Sequence, residues 1–297
     1  MRVWITGAGG MLGQDVVSAM HSPSVLSTDR EVDITDPVAV DRWWESSGGI
    51  DWVVNCAAYT AVDRAEGEES IAMHLNSEGP RVLATAAATR GAALLHISTD
   101  YVFSGDATVP YLPEQTPAPR SAYGRTKLAG ENAVRSIAPH HIILRTAWLF
   151  GAGGPNFVQT MVRLMNSGKE FGVVADQRGL PTASIDLARA IAHIVTQKKA
   201  SWGTYHYTNA GSTPEEDRSG ISWFDFAQQI YLSGSRTGII HEPSRFSPLR
   251  TDQYPTAAAR PPFSVLDSSA TEAVFGVNRP RWRESIDEFI STLEIEQ

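Results

Sequence analysis

Arg2-Val3-Trp4-Ile5-Thr6-Gly7-Ala8-Gly9-Gly10-Met11-Leu12-Gly13 decides how the rest of the chain is understood. Residues 2–6 are an apolar run of strand length, and 11–20 reads as a helix. Between them Gly7, Gly10 and Gly13 make the spacing GxxGxxG. Gly7 permits a tight turn, Gly10 lets a pyrophosphate approach the backbone, and Gly13 lets the helix pack close to the strand. The free N–H groups and the dipole of such a helix start favour an anion. A glycine triplet alone could equally be a plain tight turn. At the head of an alternating strand and helix pattern it predicts a dinucleotide site.

That pattern extends outward. Strands are expected at 25–28, 52–56, 93–99 and 141–146, each bounded by polar or small residues. Helices are expected from Pro37, with Asp36 as N-cap, then over 70–90 and 121–136. Strands alternating with helices imply right-handed βαβ units. The fold class is α/β: a Rossmann-type doubly wound parallel sheet over 1–147. A smaller, closely packed α/β substrate-binding region follows over 148–297, with some segments returning to the sheet. In that second part helices are expected at 156–167, 185–196 and 221–231, and a strand at 203–209. Residues 151–155 and 173–181 read as loops, and 211–220 as a polar, acidic loop. Residues 251–262 read as an ordered loop over a site, or as a linker.

Composition sets the outer limits. With 297 residues, 42% of them hydrophobic, the chain has ample length for a core. A net charge of −8 argues against nonspecific nucleic-acid or membrane binding. Cys56 is the only cysteine, so no internal disulfide forms and a reducing compartment fits. No apolar run reaches the roughly 18 residues of a membrane span, and the chain opens directly on a strand. A cytoplasmic protein is expected.

Three further constellations carry chemistry. Asp29 ends the second strand, where a carboxylate accepts from the adenosine ribose hydroxyls. Arg30 beside it could pair with a 2′-phosphate, so NADH and NADPH both stay open; the pair also fits a solvated strand end. Asp33 could accept from the adenine amino group while Ile34 covers the ring. Next, Asn55-Cys56-Ala57-Ala58-Tyr59-Thr60 places small residues at the end of a central strand. A cofactor ribose can lie there, although two alanines also suit a crowded core. Finally, Tyr123 and Lys127 are four apart on a helix and share a face. An ammonium near a phenol lowers the phenol's pKa, which suits proton exchange with a carbinol or carbonyl oxygen. Alone, such a pair is most often a solvated helix face. Its company is Ser98-Thr99-Asp100, at the end of the fourth strand, where Thr99 could bond the same oxygen.

Together these stretches resemble the extended short-chain dehydrogenases/reductases and, among them, the dTDP-4-dehydrorhamnose reductase family. The resemblance spans nearly the whole chain. It rests on the glycine turn and on 55–63 (NCAAYTAVD), 98–103 (STDYVF), 123–131 (YGRTKLAGE), 145–149 (RTAWL), 176–182 (DQRGLPT) and 259–261 (ARP). It implies that Thr99, Tyr123 and Lys127 are catalytic. It places the pyrophosphate on Gly10, Met11 and Leu12, the adenosine on Asp29, Asp33 and Ile34, and the nicotinamide side along Ala58, Tyr59 and Thr60. Thr99, Asp100 and Trp148 would contact the sugar; Trp148 offers an apolar wall to a deoxysugar. Arg260 could pair with the diphosphate. The implied reaction is reduction of the C4 ketone of dTDP-4-dehydro-6-deoxy-L-mannose to dTDP-L-rhamnose by NADPH or NADH. Two rivals share much of this pattern: a nucleotide-sugar epimerase with bound NAD, and a non-catalytic regulatory subunit like that of methionine adenosyltransferase. The family is also described with Mg2+ at a subunit contact, where a Glu stands at the position of Asp15. No metal site assembles from the sequence, and the eight histidines lack ligand spacing. A homodimer is the one protein partner considered, and no stretch marks its interface.

Overall fold

The computed structural model describes residues 1–22, 24–197, 201–241 and 244–293. The first half builds β1 (Val3–Thr6), α1 (Met11–Met20), β2 (Val25–Thr28), α2 (Pro37–Ser46) and β3 (Trp52–Asn55). Short helices α3 (Val62–Ala65) and α4 (Glu69–Met73) lead into α5 (Gly79–Arg90), followed by β4 (Ala93–Thr99), α6 (Ala122–Ile137) and β5 (His141–Thr146). All β1–β5 pairings are parallel. Asp36 caps α2 by accepting from the N–H of Val38, with Pro37 in the first turn, as its sequence predicts.

Period-two alternation divides the strand side chains between the two faces. Val3, Ile5, Val54, Leu95, Ile142 and Leu144 enter a core under α1. Trp4, Val53, Leu94 and Ile143 enter another under α2, α5 and α6. Both faces are thus covered, as an all-parallel sheet requires.

The second half adds β6 (Leu149–Phe150), α7 (Phe157–Met165), β7 (Phe171–Val174), β8 (Arg178–Gly179), β9 (Thr182–Ala183), α8 (Ser184–Thr196) and β10 (Gly203–His206). Then come α9 (Pro214–Ser219), β11 (Ile221–Ser222), α10 (Trp223–Thr237), β12 (Phe246–Leu249), α11 (Ser269–Phe275) and α12 (Trp282–Thr292). β10 joins β5 in the main sheet, giving the order β10-β5-β4-β3-β1-β2. α8 packs into the same core as α1. A separate apolar cluster around Phe150, Phe226, Val265 and Trp282 holds the remaining elements together.

Four local expectations are corrected. The helix expected over 70–90 is broken by a π-turn at His74–Glu78, which turns Asn76 inward. The loop expected over 173–181 contains strand pairings, β7 with β12 and β8 with β11. The acidic loop at 211–220 holds the helix α9, capped by Thr213. Its carboxylates tie it down: Glu216 accepts from Trp282 Nε1 and Arg283 at 2.8 Å, and Asp217 from the N–H of Gly211 at 2.9 Å. The strand expected over 203–209 ends at His206.

Candidate active site

The strand order changes direction between β1 and β3, and ligands of open α/β sheets bind outside the carboxyl ends at such a switch point. The glycine turn lies there. Gly7 has φ +68°, and a Cβ on it would lie 2.6 Å from the backbone of Ala57. One on Gly13 would lie 2.1 Å from the carbonyl oxygen of Gly7. Both glycines are therefore required by the protein's own packing. Gly10 is different: a Cβ there meets only the Gly7 oxygen, at 3.3 Å, and otherwise open space. No side chain caps α1. An exposed turn with uncapped helix N–H groups and room at Gly10 fits the pyrophosphate of a dinucleotide. The Leu12 side chain is in the core, which leaves only its backbone free for a ligand.

The residues expected to hold the adenosine half sit around this cradle with unequal freedom. The Asp29 carboxylate stands against Gly9, where a Cβ would lie 2.8 Å from Oδ2. Asp29 and Arg30 are both exposed. One oxygen of Asp33 is already used by the N–H and hydroxyl of Thr35, at 2.9 and 2.7 Å. Ile34 is 4% exposed and packs against Gly79, so its side chain has little surface to offer a base.

The loop after β3 is held by Asn76, which sequence inspection passed over. Asn76 Oδ1 accepts from the Tyr59 N–H at 2.8 Å, and its Nδ2 donates to the Tyr59 carbonyl and to Thr126 Oγ1, both at 3.1 Å. The π-turn thereby clamps 57–60 against α6. The Tyr59 hydroxyl donates to Glu68, so its ring is tied away from the strand end. Thr60 is exposed at the end of the segment.

Thr99, Asp100, Tyr123 and Lys127 come together at the end of β4. Ser121 caps α6 by accepting from the N–H of Gly124, setting the helix phase. A Cβ on Gly124 would lie 2.2 Å from the Tyr101 carbonyl and one on Gly130 2.1 Å from that of Asn76, so these glycines let α6 approach. Tyr123 packs edge-on against Tyr101, centroids 5.6 Å apart. The Thr99 hydroxyl donates to Asp100 at 2.9 Å and accepts from the N–H of Tyr101 at 3.2 Å.

Electrostatics here differ from what spacing alone predicts. Burial raises the Tyr123 phenol above its ordinary range; the Asp100 charge adds to this, and a hydrogen bond with Thr99 partly offsets it. The Lys127 ammonium donates to the Ile97 carbonyl at 2.7 Å. Burial pulls Lys127 down to about 8, against the opposing charge of Glu131. Burial also pushes Asp100 up to about 6. A phenol raised in this way is protonated at neutral pH, which suits a proton donor.

The remaining site residues lie at the junction with the second half. Trp148 has φ +49°, a backbone conformation unusual for a tryptophan. Its indole stacks on Trp223 at 3.6 Å and 8° and packs against Gly179. Arg260 donates to Asp63 at 2.5 Å rather than pointing freely outward. Asp15 accepts from the Ser184 hydroxyl. Among the described residues no three or more His, Cys, Asp or Glu side chains gather into a group that could hold a metal ion. No helix among the described residues is long and apolar enough to cross a membrane.

A dinucleotide cradle at the switch point, opening toward a half-buried tyrosine and a buried lysine, defines an oxidoreductase of the extended short-chain dehydrogenase/reductase type. The chain belongs to the family of the RmlD substrate binding domain, which matches residues 1–295. It is 44% identical to a probable dTDP-4,6-dihydroxy-2-methyloxan-3-one 4-ketoreductase of Streptomyces antibioticus, over 90% of this chain and 86% of that one. A dTDP-4-dehydrorhamnose reductase structure from Clostridium acetobutylicum superposes with TM-score 0.88 at 40% identity, covering 98% of each chain. One from Bacillus anthracis, in complex with NADP, superposes with TM-score 0.87 at 36% identity, covering 97% of this chain and 98% of that one.

Proposed function

We propose that this chain reduces the C4 ketone of dTDP-4-dehydro-6-deoxy-L-mannose to dTDP-L-rhamnose. The observation that carries the proposal is the gathering of Thr99, Tyr123 and Lys127 at the end of β4, with Tyr123 half-buried against Tyr101 and its phenol held above the ordinary range by desolvation. The names of the relatives, dTDP-linked 4-ketosugar reductases, support the substrate class. NADPH or NADH supplies the hydride when bound.

The chain's own residues supply position and a proton. Gly7, Gly10, Met11, Leu12 and Gly13 hold the pyrophosphate, and Asp29, Arg30, Asp33 and Ile34 the adenosine half. The 57–60 segment, fixed by Asn76, lines the nicotinamide side. Thr99 orients the C4 oxygen, and Tyr123 gives its proton to that oxygen as negative charge develops there. Lys127 donates to the nicotinamide ribose and stabilises the phenolate that Tyr123 leaves. Asp100 and Trp148 contact the sugar, with the indole against its methyl-bearing face. Arg260 reaches the diphosphate. Residues 1–147 serve mainly the cofactor and 148–297 mainly the sugar nucleotide.

The relative from Streptomyces antibioticus favours a second substrate, a different dTDP-linked 4-ketosugar on the same machinery. The test is the loss of reduced-nicotinamide absorbance when the purified chain meets dTDP-4-dehydro-6-deoxy-L-mannose with NADPH, and in parallel NADH. Substrate-dependent oxidation, with dTDP-L-rhamnose as product, is the expected result and ranks the two cofactors. Oxidation only with another dTDP-4-ketosugar would favour the second substrate. No oxidation by a nucleotide-binding protein would overturn the reductase.

A further inference from the structure

A chain of buried polar side chains crosses the sheet and ends at Lys127. Thr6, Asn55 and His96 are register neighbours on β1, β3 and β4, and all three are buried. Asn55 Oδ1 accepts from the Thr6 hydroxyl at 2.8 Å and from the N–H of Ala57 at 3.1 Å. A backbone N–H can only donate, so the orientation of the Asn55 amide is determined. Its Nδ2 therefore donates to His96 Nδ1 at 3.0 Å. Nδ1 is the accepting nitrogen, and a neutral imidazole then carries its proton on Nε2. Burial, reinforced by the charge of Lys127, holds His96 well below its ordinary range and keeps it neutral. Nε2 lies 3.5 Å from Lys127 Nζ, so two donors face each other.

We propose that His96 is a positioning residue for Lys127. By presenting Nε2–H instead of a lone pair, it denies the ammonium an acceptor on the sheet side. One proton of Lys127 goes to the Ile97 carbonyl. The others are left for Tyr123 and the cofactor ribose. This inference rests on the role of Lys127 given above. The other titratable groups facing Lys127 are Cys56 from the end of β3 and, from its own helix, Tyr123 and Glu131. Glu131 is occupied by Arg145, at 2.7 and 2.8 Å, and by Arg135.

Two variants of the full chain separate the two ring nitrogens. His96→Asn keeps an acceptor near Nδ1 and removes the Nε2–H; His96→Gln keeps an N–H near Nε2. For His96→Asn, kcat should fall roughly ten- to hundredfold with substrate KM little changed. The alkaline limb of its kcat–pH profile should move to higher pH, because a donor beside the ammonium is gone. His96→Gln should restore most of both. Matching profiles in the two variants, or limbs identical to wild type, would overturn the inference. If neither variant folds, 15N NMR of the wild-type imidazole at pH 7 decides. A neutral ring protonated on Nε2 supports the inference; protonation on Nδ1 overturns it. Lys127→Ala distinguishes the two levels. Near-wild-type turnover in that variant defeats the role of Lys127 itself. An inactive Lys127→Ala beside a wild-type-like His96→Asn defeats only the inference about His96.

Discussion

Arg260 and Asp63, 197 positions apart in the chain, are joined by a guanidinium–carboxylate bond of 2.5 Å. The same carboxylate accepts from the N–H of Ala258 at 3.0 Å. At the other end of the 251–262 segment, Asp176 accepts from the N–H and hydroxyl of Thr251 at 2.9 and 2.7 Å. The segment is a strap, anchored through Ala258 and Arg260 to the region after β3 and through Thr251 and Pro262 to the second half. Asp63→Asn weakens one anchor. The pair is partly exposed, so the stability cost should be at most about 1 kcal/mol. Substrate KM should rise about three- to tenfold, roughly 1 kcal/mol of binding, with kcat little changed. Faster amide exchange at Ala258 would report the loosened strap; unchanged exchange would show that Asp63 is not its anchor.

Gly10→Ala and Gly13→Ala should fail differently. An added methyl at Gly13 lies 2.1 Å from the Gly7 oxygen and forces the backbone to move. A loss of about 1–3 kcal/mol in urea unfolding is expected. At Gly10 the protein has room, and the methyl instead occupies the approach to the helix N–H groups. That variant should keep its Tm within a few degrees and bind NADPH at least about tenfold more weakly in a titration.

Tyr123→Phe removes the proposed proton donor and leaves the ring in place. Turnover should drop by about 10²–10⁴ while cofactor affinity holds. Thr99→Val should lose less in kcat, because it orients the oxygen without giving up the proton. Steady-state kinetics of both variants check this order.

Asp100 gives a pH-dependent stability. Burial raises it to about 6 in the folded chain, above the ordinary value of about 3.9. The folded chain therefore holds a proton that the unfolded chain releases. The resulting stabilisation is present below about pH 3.9 and is lost as pH rises through about 6. Asp100→Asn should gain in Tm relative to wild type across that window, and the gap should level off above it. A constant gap from pH 4 to 8 would show that Asp100 does not titrate there.

Glu131 has the opposite sign. Burial tends to raise its pKa, but the hydrogen bonds and charge of Arg145, with Ser98 and Arg135, hold it below the ordinary range. Its stabilisation is complete above about pH 4.3 and is lost as pH falls through the lower folded-state value. Arg145 is 1% exposed. Glu131→Gln leaves that charge unpaired and should cost about 3–5 kcal/mol in denaturant unfolding at pH 7.

Much of this was legible from local sequence. β1, the glycine turn and α1 follow from short-range sterics, the Asp36 cap marks a true helix start, and the helix expected from 121 begins just after that residue. Other features had weaker signals. Asn76 was hidden because a π-turn cannot be told from an α-helix by periodicity. His96, in Ala93-Leu94-Leu95-His96-Ile97, was a lone polar residue in a buried strand, and that oddity was the available clue. The acidic segment 211–220 gave no sign that its carboxylates serve Trp282 and Arg283, some 66 and 67 residues away.

The sequence by itself determined the alternating elements, the dinucleotide turn and the shared face of Tyr123 and Lys127. Each depends on residues within a few positions of one another, where backbone geometry leaves few choices. Only the tertiary structure decided the protonation chemistry. The lysine four residues from Tyr123 turns to the Ile97 carbonyl, and burial raises the phenol instead. Tertiary structure also decided the partners of Arg260, Glu131 and His96. Desolvation and long-range pairing depend on which distant segments pack together, and the spacing of residues along the chain does not contain that.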